Sequence, residues 1–113
     1  MILLVNQKLR NVMTTLNAVA PGIVYHYHRP ADMKRFIVWQ EEAEDNSFTA
    51  NNRRQEICIT GTIDFYTPTE YDQTVDDIAA ALSQAPRIRA EISAVQYEDE
   101  TNLIHYTWTF WAI

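Results

Sequence analysis

Residues 57–65 read Ile57-Cys58-Ile59-Thr60-Gly61-Thr62-Ile63-Asp64-Phe65, and the fold turns on this stretch. Ile57, Ile59, Ile63 and Phe65 alternate with Cys58, Thr60, Thr62 and Asp64, with Gly61 on the apolar side. Side chains of a strand alternate between faces, so the pattern predicts a strand with one face in a core and the other toward water or a partner. Thr67-Pro68-Thr69-Glu70 follows and reads as a capping box with proline at the first helical position. The predicted helix turns Tyr71, Val75, Ile78, Ala79 and Leu82 to the core, keeps Glu70, Asp72, Asp76 and Asp77 outside, and stops before Pro86.

Working back from this centre, Glu41 to Asn52 carries Glu41, Glu42, Glu44, Asp45, Asn46, Ser47, Asn51 and Asn52 without periodicity. It reads as a long acidic loop. Loops beyond about 12 residues are uncommon in compact domains and are usually functional, so it is a candidate arm. Its lone large apolar residue, Phe48, and the neighbouring Arg53 and Arg54 are candidate interface groups. Before it, Ile23 to His28 and Arg35 to Trp39 read as strands joined by an Arg29-Pro30-Ala31-Asp32 turn, which predicts a hairpin. At the start of the chain, Val5, Leu9, Val12, Met13, Leu16 and Val19 recur at helical spacing opposite Asn6, Lys8, Arg10, Asn11 and Asn17. Ala20-Pro21-Gly22 ends that helix.

Working forward, Ile88 to Tyr97 and Leu103 to Ala112 predict a second hairpin closed by Glu98-Asp99-Glu100-Thr101-Asn102. Ile104, Tyr106, Trp108 and Phe110 share one face of its last strand; His105, Thr107, Thr109 and Trp111 share the other. Trp111 is thereby a candidate anchor for a partner. The order α-β-β-β-α-β-β predicts a two-layer α+β fold: an antiparallel or mixed five-stranded sheet with two helices on one face. At 113 residues the chain reads as one domain.

Composition excludes several function classes. Fifteen acidic residues against nine Lys and Arg give a net charge of −6, which disfavours direct binding of nucleic acid. Two glycines, Gly22 and Gly61, leave no phosphate-cradling loop, and no cofactor is expected. The apolar start Met1-Ile-Leu-Leu-Val5 is broken by Asn6, Gln7, Lys8 and Arg10, so neither a signal-peptide core nor a membrane span is expected. Cys58, the single cysteine, fits a reducing compartment and lacks an activating neighbour in the sequence. His26, His28 and His105 are the one set from which a zinc site could be drawn, with Glu98 or Glu56 as general base; this is the reading of a small metal-dependent hydrolase.

Three stretches carry a family resemblance: Pro21-Gly22-Ile23-Val24-Tyr25 after a short helix, Asp64-Phe65-Tyr66-Thr67-Pro68-Thr69-Glu70-Tyr71-Asp72 leading into a helix, and Tyr97-Glu98-Asp99-Glu100-Thr101 with His105-Tyr-Thr-Trp108. They resemble the small tail-completion proteins of long-tailed bacteriophages and prophages, tail terminators in particular. The resemblance implies a non-enzymatic protein of the virion tail, assembled in the host bacterial cytoplasm. It also implies a homo-oligomeric ring, typically a hexamer, that caps the head-proximal end of the tail tube. The implied partners are the tail tube protein and a head-completion or connector protein. A connector subunit of the same virion is the neighbouring reading. Six copies of a −6 chain would sum to about −36, so DNA would pass the lumen without adhering.

Overall fold

The computed structural model describes residues 4–45 and 57–113. Within them lie helix α1 (Val5–Val19), strands β1 (Val24–His26), β2 (Phe36–Glu44) and β3 (Ile59–Thr67), helix α2 (Gln73–Gln84), and strands β4 (Ile88–Glu98) and β5 (Leu103–Ala112). The strands form one five-stranded sheet in the order β1-β2-β3-β5-β4. The β1–β2 pair is parallel and the other three are antiparallel, so this is the α+β arrangement with a mixed sheet that the element order predicts.

The core forms where the two helices cover one face. Val12 and Leu16 of α1 and Ile78 and Leu82 of α2 pack on Ile37 and Trp39 of β2, Ile59, Ile63 and Phe65 of β3, Ile88 of β4, and Trp108, Phe110 and Ala112 of β5. The alternation therefore appears in three dimensions as predicted from Ile59 to Phe65, whereas Ile57 and Cys58 precede the strand and Cys58, expected on the outer face, is buried. The helical spacing of α1 is right in its centre and wrong in two places: Met13 is exposed, and Lys8 is buried, with 1% of its surface exposed. Lys8 lies four and eight residues before Val12 and Leu16, so it shares their stripe.

Three other expectations fail for identifiable reasons. The first two strands are not a hairpin. Tyr27 takes a left-handed φ of 71°, ends β1 after three residues, and the chain loops back to lay β2 parallel to it, Val24 opposite Ile37 and His26 opposite Trp39. The helix after β3 does not start at Pro68. Thr67 is still in β3, and the cap is Asp72, whose carboxylate accepts the Thr74 amide at 2.9 Å. The Thr67 hydroxyl donates to Asp72 Oδ2 at 2.7 Å and accepts the Thr69 amide at 3.1 Å. Tyr71, expected in the core, is 91% exposed at a left-handed φ of 60°. Lastly, Glu41 to Glu44 belong to β2 rather than to a loop.

Two bulges shape the sheet. In β2 the register shifts between Glu41 and Ala43, and in β4 between Ile92 and Ala94. A bulge inserts one unpaired residue and reverses the alternation beyond it. In β4, Ile92 sits opposite Trp108, Val95 opposite Tyr106, and Tyr97 opposite Ile104. The extra residue, Ser93, thus returns Val95 and Tyr97 to the side of the sheet that carries Ile88, Ala90 and Ile92. Its hydroxyl donates to the Thr107 carbonyl at 3.3 Å.

Candidate assembly surfaces

The face opposite the helices is one candidate surface, and much of it is closed by the chain itself. Phe36, Tyr66 and Leu103 form a small second core there, with Tyr25, Met33 and Val38 packed against it. The Phe36 and Tyr66 rings stack at 4.8 Å, and the Arg29 guanidinium lies over both, 5.3 and 4.4 Å from their centres. Arg29 also reaches Glu98 at 3.7 Å. Cation and ring faces attract through the ring quadrupole, so this loop is held down over the sheet. Beside it, His105 Nε2 meets Asp64 Oδ1 at 2.7 Å, Thr107 Oγ1 donates to the same oxygen at 2.8 Å, and the His105 ring stacks on Tyr66 at 4.1 Å.

Trp111, the predicted anchor, is on this face as expected. It is partly buried, its indole N–H donates to Asp45 Oδ2 at 2.9 Å, and Arg89 lies 5.9 Å from its ring. The other three interface candidates, Phe48, Arg53 and Arg54, lie outside the described residues, as does Glu56.

The histidines do not converge. His26 is on the helix side of the sheet, opposite Trp39, with its ring stacked on Trp39 at 3.9 Å and on Tyr27 at 3.7 Å. Its Nε2 meets Glu41 Oε1 at 2.8 Å, and the Tyr27 hydroxyl donates to the other Glu41 oxygen. His105 is on the opposite face, and His28 lies past the end of β1, exposed. The spacing argument for a shared metal assumed that β1 continues through His28; the turn at Tyr27 removes that assumption. No group of three or more potential metal-ligating side chains is found among the described residues.

Glu41 is partly desolvated, which favours its neutral form, yet the hydrogen bonds from Tyr27 and His26 outweigh this and hold it below the ordinary carboxylate value. Burial pushes the Cys58 thiol up, Asp45 adds to that, and the Lys8 ammonium opposes it. A thiol so raised is a poor nucleophile at neutral pH.

The architecture matches that of a virion chain. A chain in the virion of a native gene transfer agent particle superimposes with a TM-score of 0.51 at 18% identity, over 95% of this chain and 88% of that one. At that identity the likeness is one of fold. No protein-family model matches the chain, and no curated protein sequence does.

Two further surfaces, missed by the sequence reading, lie on the helix side of the sheet at its opposite edges. At the β4 edge, Ile92, Val95 and Tyr97 are 51%, 56% and 58% exposed, because the helices stop short of them. A concavity of about 660 Å³ there is lined by Val95, Tyr97, Ile104, Pro68 and Glu70. At the other edge, a groove of about 280 Å³ between α1 and β1 is lined by Leu9, Arg10, Met13, Tyr27, Trp39 and Glu41. Period-two and period-3.6 patterns report which side of the sheet a residue takes, not how far a helix extends over it. The apolar residues at the β4 edge are therefore indistinguishable from core in the sequence.

Proposed function

We propose that the chain is a non-enzymatic structural subunit of a phage-like virion, and that within it the chain acts as a tail terminator. In this reading, copies form a ring, a hexamer by resemblance, on the head-proximal end of the tail tube. The ring stops tube growth and presents a surface to the head-completion protein. The observation that carries the reading is the fold shared, over nearly the whole length, with a chain of a gene transfer agent virion. Two features support it further. The described residues hold unlike, partly apolar surfaces at opposite sheet edges, which is what a closed ring of identical subunits requires. And the net charge of −6 per copy suits a passage that DNA crosses without sticking.

Deleting the gene from the element that encodes it tests the role. The expected result is a lysate whose tails run past their normal length in electron micrographs and lack heads, with normal length restored by the gene in trans. Tails of normal length standing apart from filled heads would move the chain to head completion. Particles of normal length and infectivity would overturn the virion reading.

A further inference from the structure

We propose that the β4 edge of one copy docks into the α1–β1 groove of a second copy. This deepens the ring reading and rests on it, since a second copy is taken as the occupant.

The argument begins at β4. This strand runs eleven residues at the sheet edge, paired with β5 on one side and with no strand on the other among the described residues. Long edge strands expose a row of backbone N–H and C=O groups and are usually blunted by charges, proline or a bulge that turns the strand away. The bulge here does something else. By reversing the alternation after Ile92, it gathers Ile92, Val95 and Tyr97 into one exposed apolar row beside the free backbone edge. Without it, Val95 and Tyr97 would face the side of Asp64, His105 and Thr107. Apolar side chains grouped at an open edge favour a partner that covers them.

The occupant follows from the other edge. The α1–β1 groove has Leu9, the exposed Met13 and the exposed Tyr27 around its rim, and so offers an apolar counterpart. Charge agrees with the pairing. Glu70 lines the concavity beside Val95 and Tyr97, whereas the groove presents Arg10 beside Leu9 and Met13 and has both oxygens of its one carboxylate, Glu41, engaged by His26 and Tyr27, so a head-to-tail contact brings Glu70 toward Arg10. A symmetric contact of the β4 edge with itself would instead bring Glu70 toward Glu70. The two surfaces lie on the same side of the sheet at its two ends, which leaves each copy able to engage two neighbours at once.

The test uses the full chain carrying Met13→Cys and Val95→Cys, oxidised mildly at high concentration, with native mass spectrometry in parallel. Cys58 is buried, and the parent chain and each single variant, which all keep it, are the controls for its participation. The double variant is expected to give a covalent ladder ending in a closed species, while either single variant gives none. Val95→Glu is expected to weaken association about tenfold, as loss of one central contact residue does, with an unchanged melting temperature. Arg10→Glu and Glu70→Arg each weaken it, and together they restore it. Oligomers that do not cross-link and ignore Val95→Glu would overturn this contact while leaving the ring reading intact. Covalent dimers from Val95→Cys alone would replace it with a symmetric contact. A chain that stays monomeric, alone and on tail tubes, would overturn both.

Discussion

Gly61→Ala melts well below the parent chain. Gly61 lies in β3, the middle strand of the sheet, opposite Glu41 of β2 and Phe110 of β5. A methyl group there would stand 2.1 Å from the Gln40 carbonyl oxygen, 2.7 Å from Phe110 Cε2 and 2.8 Å from the Glu41 Cα. Two of these three atoms are backbone, and they belong to the residues just before the β2 bulge, so no rotamer change can make room. Overpacking costs about 1–3 kcal/mol when side chains must yield, and here the sheet itself must, which puts the cost near the top of that range. At about 4 °C per kcal/mol for a domain of this size, the midpoint falls by about 10 °C. Circular dichroism melts measure it. A fall under about 3 °C would mean that the β2–β3 spacing is not as tight as described.

Asp72→Ala has an effect of similar size through a different cause. The Asp72 carboxylate receives the Arg35 guanidinium at 2.9 and 3.2 Å, the Thr67 hydroxyl at 2.7 Å and the Thr74 amide at 2.9 Å. It thereby ties the end of β3, the start of α2 and the loop before β2. Arg35 Nη2 also donates to the Thr74 hydroxyl, so the substitution strips the guanidinium of its anion while leaving it over the Phe65 ring. Losing a helix cap costs about 0.5–2 kcal/mol, and losing hydrogen bonds between charged groups about 1.5–3 kcal/mol. A combined loss of about 2–4 kcal/mol is expected, read as a shift in the urea midpoint without a change in slope.

The same carboxylate makes stability depend on acid. The Arg35 hydrogen bonds, joined by those of Thr74 and Thr67, hold Asp72 far below the usual aspartate value against the opposing effect of burial. Its folded value is below its unfolded value near about 3.9. Its contribution is therefore complete above about pH 5 and is lost as pH falls below about 4, toward the folded value. Asp72→Asn is expected to lose less melting temperature between pH 5 and pH 3 than the parent chain does, the remaining fall coming from carboxylates such as Glu41. Parallel slopes for the two proteins would remove Asp72 from the acid response.

How much of this could be read from residue order depends on whether the deciding interaction is local. The alternation around Gly61, the helical stripe through Val12 and Leu16, and the turn at Glu98 to Asn102 are local signals, and the structure carries all three. The parallel β1–β2 pair was not legible, because Arg29-Pro30-Ala31-Asp32 has the residues of a tight turn while the chain reversal depends on Tyr27 and on Arg29 lying over Phe36 and Tyr66. The true start of α2 was hidden by a competing signal. Thr67 and Glu70 have capping-box spacing, but Thr67 spends its hydroxyl on Asp72, and the capping passes to that residue. Glu41 to Glu44 looked like a loop because this end of β2 runs past β1, whose pairing stops at Trp39, and a strand segment left at an edge carries charged side chains. The assembly surfaces were the least legible part. The sequence pointed to the face of Trp111, His105 and Thr107 as the open one, whereas Arg29 and the aromatic pair beneath it close much of that face and the helices leave the β4 end of their own side bare.

The added residue in β4 also bears on how distant relatives of this chain are to be compared. Ser93 shifts the pleat by one position, so matching β4 without a gap to a strand that lacks the bulge assigns every later residue to the wrong side of the sheet. Val95 and Tyr97 would then be matched to water-facing polar positions and the kinship of two such edges would vanish from the score. Chains that share this surface are better recognised by the phase of the strand on either side of the insertion than by the identity of the residues it displays.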